Sequence, residues 1–285
     1  MLTRKTAKLN VTRLEDRWNP ATFQADLTTV GASASFFGGD GAQHTSPGIF
    51  QQFDGANLAQ LDTFLAMDAA SAEQGYNTDG VTQFDTIDAD THAILRSDLP
   101  LVDIGGVQYR EFVLDLQEGN SPRARFVSLD DVKVFAGSTP TATGLNLTAK
   151  TLAGTTLVYD LDWQLGRSDI FDPVDNSVAL DSKLGGRNTV DMLFYLPDSL
   201  LAASGDPYVY LYSKFGTSTM PGGNDLSTEG KAESWARGLG GVPVGPFAAG
   251  TISATDFSNS GSPAPAPAPP PTDTTSSSDS GTVWL

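Results

Sequence analysis

Asn77, Asp79, Asp85, Asp88 and Asp90 crowd one short stretch of the chain with the side chains that bind hard cations. Ca2+ takes about 6 to 8 oxygen ligands, and a loop with four carboxylates and an amide can supply several of them beside its own carbonyls. The stretch lacks the register and closing Glu of an EF-hand loop, and no Gly-Asp repeat of the calcium-binding β-roll kind accompanies it. Ordinary Asx turns between strands draw on the same residues. The stretch therefore makes Ca2+ the one candidate cofactor, with turn formation as the competing role.

A second pattern is Tyr208, Tyr210 and Tyr212. On a strand all three project from one face, about 7 Å apart at each step. Sugar rings stack on such aromatic ladders, which makes these tyrosines the candidate glycan-binding platform. Val209, Leu211 and Phe215 fill the opposite face, so the strand also reads as the middle of a covered sheet with its hydroxyls reaching the rim.

Catalytic patterns are missing. The chain has two histidines, His44 and His92, and no cysteine. It carries no Gly-x-Ser-x-Gly elbow, no His-Glu-x-x-His motif and no Walker loop. Thiol catalysis, Cys-based metal centres and disulfides are excluded outright. No catalytic residue is assigned, and the chain reads as a non-enzyme. The alternative is an extracellular polysaccharide hydrolase using paired carboxylates, whose separation is a three-dimensional quantity.

The elements that must carry these residues are strands. Leu157, Tyr159, Leu161 and Trp163 share one parity against Thr156, Asp160 and Asp162, which predicts a half-exposed antiparallel strand. Val190 to Leu196 repeats the alternation. Further strands are predicted at Val178, Leu180 and Leu184, at Phe112 to Leu116, at Val132 and Val134, and from Tyr208 to Phe215. Phe64 to Met67 reads as strand or short helix, since Leu58, Leu61 and Leu65 have near-helical spacing. Phe36, Phe37 and Phe50 imply at least one strand upstream. The predicted fold class is all-β, an antiparallel two-layer β-sandwich, with a jelly roll within that class and a barrel as second choice.

Formal net charge is −17 over 285 residues, and the first twenty residues hold five of the 17 basic side chains. No Lys or Arg occurs between Trp18 and Leu95. A body this acidic repels nucleic acid and anionic lipid and attracts cations. No apolar run approaches the roughly 18 residues of a membrane helix, so no transmembrane segment is expected. The composition divides the chain into a basic leader over 1–20, a β-sandwich domain over 21–240, and a Gly/Pro/Ser-rich linker with disordered tail over 241–285.

Two resemblances add a compartment. Leu14-Glu15-Asp16-Arg17 with Pro20, behind Arg4, Lys5, Lys8 and Arg13, resembles the "LEDR…P" amino-terminal signature of predicted surface and secreted planctomycete proteins. From about Gly75 to Arg237 the chain resembles a family of uncharacterised bacterial β-rich exported proteins, some with PEP-CTERM-type sorting tails. The resemblance rests on separated segments, among them Gly75-Tyr76-Asn77-Thr78-Asp79, Glu111 to Leu116, Val158 to Asp162, Asp191 to Leu200 and Tyr208 to Gly216. This chain lacks the apolar helix and basic cluster of the sorting-tail members. The family implies a compact surface or extracellular domain, with no reaction and no catalytic residues to carry over. The expectation is a non-enzymatic cell-surface or secreted protein with a structural, adhesive or matrix role, its partners being extracellular glycan or envelope components.

Overall fold

The computed structural model describes residues 22–38, 46–53, 62–119, 121, 124–163, 175–185, 189–219, 226–238 and 240. The leader, the carboxy-terminal linker and tail, His44, Leu58 and Leu61 lie outside them.

Two sheets face each other, as the strand pattern predicts. One runs β1 (Thr22–Asp26), β12 (Asp175–Asp181), β10 (Phe126–Gly137), β14 (Tyr208–Phe215) and β6 (Glu73–Tyr76). β11 (Thr155–Asp160) also pairs with β10, and β7 (Ile94–Leu95) with β14. The other runs β2 (Ser33–Phe36), β3 (Gly48–Gln52), β13 (Met192–Pro197), β9 (Val107–Leu116), β16 (Glu233–Arg237) and β4 (Thr63–Met67), with β8 (Leu101–Ile104) paired to β9. A small ribbon joins β5 (Ala70–Ser71) to β15 (Thr228–Glu229). Among the described residues pairing is antiparallel except at one edge, where β1 lies parallel to β12 with Thr22 opposite Asp175.

The core between the sheets is aromatic at its centre. Phe194 of β13 stacks on Phe50 at 4.6 Å and on Phe112 at 5.5 Å between centroids, and Trp235 meets it edge-on at 6.4 Å. Val132, Val134, Val209, Leu211 and Phe215 close the core from the first sheet. Two smaller apolar clusters lie apart from it. One gathers Tyr76, Phe135, Tyr210 and Tyr212 with Ala142, Leu145 and Leu152; the other gathers Tyr109, Val113, Leu193 and Tyr195.

Several strands depart from the sequence pattern for local reasons. Residues Phe64 to Met67 are strand: all four are buried, and β4 pairs along β16. Leu184 lies in the single helical turn α1 (Ser182–Gly185), outside β12. β11 is the expected antiparallel strand, with Thr156 exposed and Thr155 and Leu157 partly buried, but the alternation does not continue to its end. A register shift opposite Val134 and Phe135 places Val158 and Tyr159 together in the main core, and Asp160 is buried opposite Lys133.

Candidate functional site

The predicted cation loop is spent on holding strands. Asn77 is buried, donates its amide to His92 O at 3.2 Å and Val209 O at 3.0 Å, and accepts from Leu211 N at 2.6 Å. Its side chain thus continues the hydrogen bonding of β14 where β6 stops. Asp79 accepts from Ala93 N, Asp85 from Gln74 N, and Asp88 from the Thr82 hydroxyl. Asp90 is exposed on a single 3-10 turn, Asp88–Asp90. Among the described residues, these five do not converge as a three-carboxylate group.

The tyrosine ladder does share one face, and that face is covered. Tyr210 donates its hydroxyl to Thr139 O and accepts from Ala142 N at 3.2 Å. Tyr212 donates to Gln74 Oε1 at 2.9 Å. Both are buried, and Tyr208 is partly so. Residues 138–154 roof the ladder with Ala142, Leu145 and Leu152. A covered face offers sugar no ring to stack on, so the glycan-platform assignment to these tyrosines is corrected to core packing.

Two acidic clusters emerge instead among the described residues, the first partly buried and the second buried. The first joins Asp131, Asp160 and Asp162, whose oxygens lie within 4.8 Å of one another. Asp131 sits on β10 and Asp160 ends β11, where cross-strand register sets it opposite Lys133. The Lys133 ammonium bonds Asp131 and lies 3.3 Å from Asp160, while Lys150 reaches Asp160 at 2.5 Å. Asp162 accepts from Asn176 N at 2.8 Å. Burial, reinforced by the Asp131 charge, pushes the Asp162 carboxyl up to about 8. The three carboxylates could hold a metal only where two ammonium groups already supply positive charge.

The second cluster joins Glu73, Glu118 and Glu233, and here no cation is built in. Gln74 and Tyr76 of β6 bond and pack on the outer side, which turns Glu73 inward; Glu233 shares the inward parity of Trp235 on β16. Glu73 is 1% exposed, Glu233 0% and Glu118 6%. One Glu73 oxygen accepts from Ala69 N at 3.0 Å, and the Glu118 carboxylate accepts from Glu229 N at 3.0 and 3.1 Å. Glu73 Oε1 and both oxygens of Glu233 receive no N–H, and the Glu233 carboxyl hydrogen-bonds the Glu73 and Glu118 carboxyls instead. No Lys or Arg forms an ion pair with any of the three among the described residues. Burial first, then the Glu73 and Glu118 carboxyls, drives the Glu233 pKa far up; burial also raises Glu73 and Glu118. Glu73 and Glu233 touch through their carboxyls inside the core, whereas glycoside hydrolysis needs a pair about 5 to 10 Å apart around a substrate.

A third feature fixes the far end of β9. Asp198, first residue of α2 (Asp198–Ser204), takes Arg96 at 2.9 and 2.6 Å and Arg110 at 2.6 Å. Burial alone would raise its carboxyl, but the two guanidiniums outweigh burial and hold it below the usual carboxylate range.

The glutamate cluster was legible in part: Glu233-Ser234-Trp235 and Glu73-Gln74-Gly75-Tyr76 both put a charge in an alternating strand. What the alternation could not give is which face is inside. Set against protein-family models, characterised proteins and solved structures, the chain matches none of them.

Proposed function

We propose that the chain is a non-enzymatic β-sandwich of the cell surface or extracellular matrix, with a structural or adhesive role and with glycan or envelope components as its partners. The observation that supports this reading most is how the polar side chains are used. Asn77, Asp79 and Asp85, the candidate cation ligands, cap strands or hold loops, and Asp198 clamps two arginines. The basic leader, the acidic body and the resemblance to exported β-rich proteins supply the compartment. No helix of the described residues is long and apolar enough to cross a membrane.

The test is fractionation of the native host into cytoplasm, envelope and medium, with mass spectrometry of the recovered amino terminus. Recovery from envelope or medium is expected, and would show whether residues 1–20 are removed. Recovery from cytoplasm alone, with the leader intact, overturns the surface assignment.

A further inference from the structure

Glu73, Glu233 and Glu118 form a row of three buried carboxyls beside the β5–β15 ribbon. The two outer members each hold one side of the ribbon by a backbone N–H. Glu73 accepts from Ala69 N at 3.0 Å, next to Ala70 of β5, and Glu118 accepts from Glu229 N of β15 at 3.0 and 3.1 Å. Ala70 and Glu229 are themselves partners in the ribbon, and the Thr228 hydroxyl donates to Ala69 O at 2.6 Å. Glu233 joins the outer two, because its carboxyl hydrogen-bonds both and receives no N–H. Ionised carboxylates only accept, so each bond between two carboxyls contains a proton. Two such bonds need two protons among the three groups.

We propose that these shared protons make a pH-sensitive clasp: while they are held, Glu233 links Glu73 to Glu118 and the ribbon stays closed on the end of the sandwich, and when they leave, the ribbon opens. Among the described residues no positive charge stands in for the protons. Asp68 and Glu229, which act on Glu73 and Glu118 from the flanking chain, are acidic as well. On β14, Phe215 lies opposite Glu73, while Lys214 lies opposite Gln74 on the outer side. Leu116 of β9 and Met67 of β4 lie opposite Glu233, and Asp115 keeps to the other face. Lys231, between β15 and β16, is exposed and forms no ion pair with the three. Burial, ahead of every other cause, raises all three carboxyls, and their neighbours' charges add to it. A raised folded value makes the clasp's contribution fully present below the ordinary Glu range and lost as pH rises through the raised values.

The test uses the full chain carrying Asp162→Asn, which takes the other raised aspartate out of the pH profile. Amide hydrogen exchange, corrected for the intrinsic effect of pH, should show protection of residues 69–73 and 228–233 falling at least about tenfold between about pH 5 and about pH 8.5. Glu233→Gln in that background supplies a permanent donor, since its amide has one hydrogen for each flanking carboxylate. Ribbon protection at the higher pH should then return to the level the parent shows at the lower one, and the pH dependence should vanish. Glu233→Ala should lose protection at both. Should Glu233→Gln fail to fold, Glu118→Gln, which removes one titrating group yet keeps a donor for Glu233, should shrink the pH dependence instead. A ribbon protected equally at both pH values overturns the clasp. A Glu233→Gln chain whose protection drops by the same factor at both overturns it too, because Glu233 would then serve packing alone.

Discussion

Asp162 and Asp198 are opposite cases of a carboxyl on this fold. Asp162 is held neutral near pH 7 by burial and the Asp131 charge. Its folded pKa lies above its unfolded one, so its contribution is fully present below the ordinary carboxylate range and is lost as pH rises through about 8. Asp162→Asn should therefore flatten the fall in urea midpoint between about pH 4 and pH 8. Asp198 works the other way. Its lowered pKa makes its contribution present above the ordinary carboxylate range and lost as acid titrates it, and Asp198→Asn should cost about 2 to 3 kcal/mol at neutral pH. Urea unfolding of the variant across acid pH checks both the cost and its disappearance. Asn77 shows how far residue type reads from sequence alone: the sequence marks it as a cation-ligand candidate, whereas its partners on β14 lie 132 and 134 positions away and no spacing rule reaches them.

Strands explain why some elements could be read and others not. β14 was legible end to end, since both of its faces are apolar and Gly216, with φ 84°, stops it. β11 is legible as a strand but not in its burial, because alternation assumes an even pleat and the shift opposite Val134 and Phe135 breaks it. The covered face of β14 gives a direct test. Tyr210→Ala should lose about 3 to 5 kcal/mol in denaturant unfolding, as deletion of a buried aromatic does, with the unfolding slope unchanged. A near-neutral variant would mean the roof over the ladder opens. The hairpin from β8 to β9 turns on Gly105 and Gly106, with φ of 63° and 86°, and two left-handed residues are what the favoured two-residue turn requires. Gly105→Val should cost about 1 to 2 kcal/mol by the same assay, and Gly105→Asn less.

At the scale of the molecule, the two-layer all-β architecture follows from many short alternating segments with turn residues between them, and that much the chain declares openly. Strand order and the parallel pairing of β1 with β12 are set by long-range contacts that local pattern does not encode. The charge of −17 is likewise a global property. Like charges repel across the compact state and salt screens them, so the melting temperature should rise with sodium chloride over the range where the Debye length falls from about 30 to about 8 Å. Flat behaviour would indicate that local pairs such as Arg96 and Arg110 with Asp198 already absorb the field.

The parallel pair also sets a timetable for the chain. β1 leaves the ribosome well before its partner, since Gln24 meets Ser177 across 153 positions. Until then β1 waits unpaired while the hairpins nearest in sequence form around it. Refolding should be slow and limited by that closure, which leaves β1 accessible for longer than the strands that pair locally.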